Sequence, residues 1–436
     1  MGYRYISEQR EIEEILPILM KRDIWAFDTE TSGLDPHTDK VILVQIGTAQ
    51  MQYVIDARKL SLEPLRVFFE DPQIKKVAHN AKFDYKMMRG SFNICVESLR
   101  DTMYAEKLLT MGKKFSGFSL AAVAKDRLQI TMAKDIRSTF GLGYVPEGDF
   151  TMEQLAYAAI DVKVLLPIFN KQLTDLVNDC VLDTYLLECA AIPCFGDMEF
   201  DGMYLNKERW LEIIHENEEE AEIAEKALNE IAANVMQCDL FGDAQVNWSS
   251  PDQVLKVLRS LKVKVPTRCE DGSYKDMLIT SSDDKTLSKA KAVKAVELLK
   301  KFRGNMIRVR TFGYPYLKAV NAVTGRLHPE FEQLGTETGR PANKSKKDSV
   351  NLLNIPKDKK YRNCFRGEPN ENVETDDYSG CEAKIWADIS GDPGLGEAYE
   401  KRADIHCYVA SLLFGKEVKK NDPERNPAKT LNFGGR

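Results

Sequence analysis

The sequence predicts an α/β fold over its first 180 residues and a mostly helical, charged continuation. Three observations predict this. Short apolar runs rich in β-forming residues, such as Ile24–Phe27 and Val41–Ile46, alternate with stretches whose apolar residues recur at helical spacing. The first run ends in two carboxylates at i, i+2, Asp28 and Glu30, which a strand places on one face. Beyond Val181 the pattern changes to long charged helical stretches, such as Leu211–Met236 and Leu287–Tyr316.

Composition bounds the function. A chain of 436 residues has room for about two to four domains. Its 43% hydrophobic and 29% charged content is that of a soluble globular protein. A net charge of -6 does not mark a nucleic-acid binder in bulk, although a local basic patch can carry binding. Nine cysteines without a CxxC pair offer no zinc motif and fit reduced thiols in a cytoplasmic compartment. The N-terminus has no apolar signal region, and Ile6 stands where a myristoylation motif needs Ser or Thr. No apolar run reaches membrane-spanning length.

In order along the chain, Glu11–Met20 has helical spacing, and Val41–Gly47 and Tyr53–Asp56 read as strands beside Ile24–Phe27, expected as an antiparallel sheet. Leu62–Glu70 reads as a helix and Lys76–His79 as a strand. Asn80 is a candidate N-cap for a helix carrying Asp84 one turn in, and Asp101–Met103 opens another helix. Thr151 to Gln154 has the form of a capping box, and the helix it opens puts Tyr157 and Asp161 on one face, with Pro167 near its end. Arg268–Asp276 reads as an exposed polar loop. Val373–Ser379 reads as a strand ending in a carboxylate, followed by a helix carrying Glu382.

These residues resemble a family. Asp28-x-Glu30, Asn80 with Phe83-Asp84, and Tyr157-x-x-x-Asp161 look like the three motifs of the DEDD 3′–5′ exonucleases, in the variant with tyrosine. Asp101-Thr102 and Ser119-Leu120 also fall where that family has similar residues. The resemblance implies that Asp28, Glu30, Asp84 and Asp161 hold two Mg²⁺ or Mn²⁺ ions and that Tyr157 orients the attacking water. Oxygen-only ligands suit hard divalent ions, and two such ions can both generate hydroxide and stabilise a leaving oxyanion.

The remainder resembles family A DNA polymerases, those like bacterial DNA polymerase I. The segment Val181–Trp210 looks like the opening of their polymerase part, and Asn247–Gln253 like their thumb motif. Gly335–Arg340 with Asn351–Pro356 resembles the segment that grips primer–template duplex. Arg340–Arg366 holds nine Lys or Arg against two Asp, a phosphate footprint that the net charge hides. Arg340, Lys344, Lys346, Lys347, Asn351 and Asn354 are the expected DNA contacts. Val373–Ser379, with Glu382 and Gly391-Asp392 after it, resembles polymerase motif A, which implies a metal role for Asp377 and exclusion of a ribose 2′-hydroxyl by Glu382. Gly380-Cys381 and Lys384 depart from the family's usual Gln-Ile and Arg. Asp404–His406 matches a short family motif. Arg425-x-x-x-Lys429-x-x-x-Phe433-Gly434 looks like motif B, so His406, Arg425, Lys429 and Phe433 are expected at the nucleotide.

The implied architecture is a ribonuclease-H-like exonuclease domain (1–180), a polymerase start and helical thumb (181–330), a partial palm with motif A (331–415) and a fingers stub with motif B (416–436). The expected function is that of the N-terminal part of a proofreading family A polymerase in DNA replication or repair, phage-like in lacking a 5′-nuclease domain. Its expected partners are DNA, as a single-stranded 3′ end and as primer–template duplex, and dNTP once completed. A separate chain with the rest of palm and fingers is a further expected partner. A stand-alone 3′–5′ exonuclease with a DNA-binding thumb, or a non-catalytic DNA-binding product, fits the same residues.

Overall fold

The computed structural model describes residues 2–113, 117–132, 139–140, 148–235, 246–268, 273–290, 293–344, 350–368, 371–374, 376–378, 380–401 and 403–434. Two compact units are present, Met1–Pro369 and Asn370–Arg436. No helix among the described residues is long and apolar enough to cross a membrane.

The first unit begins with β1 (Tyr3–Ile6), α1 (Gln9–Leu19), β2 (Ile24–Thr31), β3 (Val41–Gly47) and β4 (Gln52–Asp56). A 3₁₀ turn at Glu63–Leu65 leads into α2 (Arg66–Phe69), then β5 (Lys75–Ala78), α3 (Ala81–Phe92), β6 (Leu99–Asp101), α4 (Thr102–Leu109), α5 (Leu120–Leu128) and α6 (Met152–Asn178). The sheet has the order β1-β4-β3-β2-β5-β6. It is mixed rather than antiparallel: β2–β3 and β3–β4 are antiparallel, but β1–β4, β2–β5 and β5–β6 are parallel. Strands β1 and β6 are too short to announce themselves, and α3 is the crossover that parallel pairing of β5 with β6 requires. One face packs Ile12, Ile15 and Phe69 into the main core. On the other, Ile42, Leu43 and Val54 meet Leu155 and Ala158 of α6. Helix α6 runs well past Pro167, which lies in its middle rather than near its end.

Asp101 ties this part together. Its side chain is fully buried. The carboxylate accepts the Asn80 and Ala81 amides at 3.2 and 2.8 Å, and the Met103 and Tyr104 amides at 2.7 and 3.3 Å. One carboxylate therefore caps two helices, α3 and α4. Asn80 occupies the N-cap position of α3 in a left-handed conformation (φ 65°), but its side chain makes no cap. Asp101 has taken over that work.

Helix α7 (Leu182–Asp201), β7 (Met203–Tyr204) and the long α8 (Lys207–Ala233) follow. Next come α9 (Pro251–Ser260), β8 (Lys264–Arg268), β9 (Tyr274–Leu278), α10 (Asp284–Leu287) and α11 (Lys294–Ile307). Arg268–Asp276 is not simply a loop: Arg268 pairs with Tyr274 at the outer end of a hairpin, and all of β9 is exposed, so polarity there masked a strand. Trp248, from the thumb-like motif, is buried and donates to Asn229 Oδ1 at 2.7 Å. A π-helical turn, Arg308–Gly313, precedes α12 (Tyr314–Lys318). Its loosened carbonyls at Phe312 and Gly313 both receive the Trp210 indole N–H at 3.2 Å. The unit closes with β10 (Arg326–Leu327), β11 (Phe331–Glu332), β12 (Ala342–Asn343) and α13 (Lys359–Arg362).

The second unit holds α14 (Cys381–Ser390), α15 (Pro393–Glu400), α16 (Ile405–Phe414) and α17 (Arg425–Gly434). The strand expected over Val373–Ser379 is absent among the described residues of that stretch, which are exposed. A strand needs a neighbour for its backbone groups, and no described strand pairs with it.

Replacing Asp101 with Ala removes two helix caps, each worth about 0.5–2 kcal/mol, so about 1–4 kcal/mol of stability should be lost in urea denaturation. Asp101→Asn, which keeps an acceptor oxygen, should lose less. A change in Asp101→Ala within the roughly ±0.5 kcal/mol of an inert surface site would contradict this role.

Candidate active site

The site forms where β2, α3 and α6 converge. Strand alternation puts Asp28 and Glu30 on one face, and a register shift between Glu30 and Thr31 marks a bulge at that point. The capping box of α6 is made as expected, with Thr151 bonding the Gln154 amide and Gln154 bonding the Thr151 amide. It sets the start of the helix that brings Asp161 to the strand. Carboxylate oxygens of Asp28, Glu30 and Asp161 all lie within 4.8 Å of one another. Among the described residues this is the one group of three or more potential ligands placed to hold a metal ion.

Asp84 stands beside this triad on α3, buried, and Thr29 Oγ1 donates to its Oδ1 at 2.6 Å. Burial, and then the charge of Asp28, push the Asp84 carboxyl well above the ordinary carboxylate range, against the pull of the Thr29 hydrogen bond. Tyr157 lines the same cleft. Its ring lies 6.2 Å from Phe140, which in turn lies 6.2 Å from Phe150. The Arg58 guanidinium covers Phe150 at 3.8 Å and is held by Asp56 at 2.7 and 2.8 Å. Tyr157 thus stands at the end of a packed aromatic row.

The cleft measures about 680 Å³, and Glu330, Phe331, Glu332, Gln333 and Lys344 are also among its lining. Four acidic side chains without a Cys or His ligand form a donor set for a hard divalent cation. Gln45, the cross-strand partner of Asp28, is fully buried, and neither of its side-chain amide atoms has a hydrogen-bond partner.

Of the polymerase-like residues, Lys344 lines this same cleft. Arg340 sits in the turn between β11 and β12, where its amide donates to Thr336 Oγ1 at 3.0 Å. Asn351 caps a 3₁₀ turn through the amides of Leu353 and Asn354. Lys344 is exposed, while Lys346 and Lys347 lie outside the described residues. In the second unit Asp377 is exposed, and Glu382 is in the first turn of α14. His406 begins α16, its Nδ1 2.9 Å from Asn432 Nδ2; burial, then Arg425, hold it below the ordinary imidazole range. The Arg425 guanidinium donates to Asp404 Oδ2 at 2.7 Å. Lys429 is exposed, and Phe433 lies on α17.

Comparison with known proteins agrees with this division. Residues 3–177 match the 3′–5′ exonuclease family, and residues 214–435, just over half the chain, match DNA polymerase family A. The chain belongs to DNA polymerase family A. Among family A relatives, DNA polymerase I of Aquifex aeolicus is 28% identical over 458 residues, covering 100% of this chain and 72% of that protein. DNA polymerase I of Borreliella burgdorferi is 30% identical over 452 residues, covering 99% of this chain but 47% of that protein. The POL domain of Pol1 from M. smegmatis, solved with DNA primer-template and dNTP, shares the fold at a TM-score of 0.76 and 20% identity, covering 99% of this chain and 70% of that one. The polymerase match over 214–435 does not favour a stand-alone exonuclease.

Sequence reasoning missed three participants in this family A exonuclease domain. Thr29 sits between the two motif carboxylates, yet its partner Asp84 is distant in sequence. Gln45 could have been found only from the strand register. The wall at Glu330–Gln333 is remote in sequence from every exonuclease motif.

The raised carboxyl of Asp84 has a consequence for metal-free protein. A proton held more tightly in the folded state stabilises the fold below the unfolded carboxylate pKa of about 3.9, and that stability is lost as pH rises towards the folded value. Asp84→Asn, which cannot ionise, should therefore gain on wild type as pH rises from 4 upward, read as urea midpoints in EDTA. Parallel curves for the two proteins would contradict the environment assigned to Asp84.

Proposed function

We propose that this chain hydrolyses DNA from single-stranded 3′ ends at the Asp28–Glu30–Asp161 cleft and that its second unit serves DNA synthesis. The observation carrying the first claim is the gathering of three carboxylates from two separate motifs within 4.8 Å, in a cleft that Tyr157 also lines. Asp28, Glu30, Asp84 and Asp161 would hold two Mg²⁺ or Mn²⁺ ions, which supply Lewis acidity and a lowered pKa for bound water. The Tyr157 hydroxyl orients the attacking water. Its oxygen bonds to phosphorus as the phosphorus–O3′ bond breaks, releasing the terminal nucleotide.

For synthesis, Asp377 would contribute one metal carboxylate, Glu382 would reject a ribose 2′-hydroxyl, and His406, Arg425, Lys429 and Phe433 would meet the dNTP. Among the described residues no group of three potential ligands includes Asp377. Arg340, Lys344, Lys346, Lys347, Asn351 and Asn354 would hold the primer–template duplex, their shared chemistry being charge and amide contact with phosphate and sugar.

The test is digestion of a 5′-labelled single strand with Mg²⁺. Wild type should shorten it from the 3′ end, and Asp28→Ala with Glu30→Ala should abolish this while DNA binding persists. Tyr157→Phe should slow release by about 10²–10⁴-fold. Trimming at the wild-type rate by the double variant would refute the site.

A further inference from the structure

Residues Glu330–Gln333, just before the segment that resembles a duplex grip, help to line the exonuclease cleft. A buried carboxylate ties them to the helix that carries Asp84. Glu199, near the C-terminal end of α7, is 3% exposed. Its Oε1 accepts the Phe331 amide at 2.7 Å and also the Lys82 ammonium, which in turn donates to the Phe331 carbonyl. Its Oε2 accepts Lys86 Nζ at 2.5 Å. Lys82 and Lys86 flank Asp84 on α3, and Phe331 begins β11. One side chain therefore binds both the helix that presents Asp84 and the strand that forms part of the cleft wall.

We propose that Glu199 is a positioning residue that clamps β11 against α3 and so sets the width of the exonuclease cleft, restricting it to a single strand. The proposal rests on the exonuclease reading above. Asp28, Asp84 and Asp161 line the cleft together with Glu330, Phe331 and Glu332. Phe331 has both its backbone amide and its carbonyl in the clamp, so the wall cannot move outward without breaking both bonds. Two cations and one amide share the carboxylate, and a neutral amide in its place neutralises neither lysine. Lys107 Nζ to Glu332 at 2.8 Å and Gln333 Nε2 to Glu188 Oε2 at 2.9 Å fasten the next residues of the wall. Loss of Glu199 should therefore loosen one end of the wall while the other end stays fastened.

The experiment compares kcat/KM on a single strand and on a blunt duplex end of the same sequence. Glu199→Gln should reduce the preference for the single strand by about tenfold, mainly by lowering KM for the duplex end while leaving kcat on the single strand little changed. Lys86→Met should shift the preference in the same direction, by less. The structural control is Asp197→Asn. It weakens a second tie between the same two helices, Asp197 Oδ1 to Tyr85 Oη at 2.8 Å and Arg89 Nη1 at 2.9 Å, without touching β11. Its preference should equal that of wild type. An unchanged preference in Glu199→Gln, or an equal loss in Asp197→Asn, overturns the proposal. Hydrogen exchange at the Phe331 amide gives a readout independent of hydrolysis: protection should fall in Glu199→Gln, and full retention overturns the clamp. A wild-type protein that shortens neither substrate would refute the exonuclease reading, with the exchange result still deciding the clamp.

Discussion

Carboxylates that repel one another must be held in one cleft, and the first 180 residues are arranged around that constraint. Asp28, Glu30 and Asp161 come within 4.8 Å of one another with Asp84 beside them, an arrangement that could hold a metal ion. The holders are accordingly stiff. Asp28 and Glu30 ride on a strand paired on both sides. Asp161 rides on a helix with a complete capping box and a buried face of Leu155, Ala158 and Val162. Asp84 rides on α3, whose first turn is pinned by Asp101. That pin is a buried carboxylate that accepts four amide N–H groups, so it stabilises the scaffold on which the site is built.

The chemistry was more legible in the sequence than the architecture. Periodicity alone put Asp28 with Glu30 and Tyr157 with Asp161, because each pair sits within one regular element. Strands β3 and β4 were read for the same reason, being continuous apolar runs. Features that depend on partners distant in the chain were not readable. Parallel pairing of β5 with β6 depends on a three-residue strand. The N-cap of α3 is supplied by Asp101 from the next strand rather than by the adjacent Asn80. The β8–β9 hairpin looked like a loop because its exposed second strand lacks an apolar face. Val373–Ser379 has the composition of a strand but no partner among the described residues, and composition cannot supply one.

In the second unit the motif residues are tied to one another before any nucleotide is considered. Asp404 caps α16 through the His406 and Cys407 amides and also receives the Arg425 guanidinium from α17. Asn432 meets His406 from the same helix. Ala410, Val418 and Ala428 fill the small space between. The Asp404–Arg425 pair holds the Asp404 carboxyl down at about 2, with burial opposing and Arg425 the main favourable partner. The Arg425 guanidinium is thus already engaged by Asp404 within the unit itself.

Net charge was a poor guide here because the two signs are segregated. The chain is acidic overall, yet Arg340–Arg366 carries nine cations against two Asp, and Lys344 from that segment lines the acidic exonuclease cleft. The backbone supplies the reason for this placement. Lys344 N donates to Glu330 O at 2.9 Å, so the start of the basic segment is hydrogen-bonded to the wall of the cleft. The cavity that gathers the carboxylates therefore also receives cationic charge from the start of the basic segment.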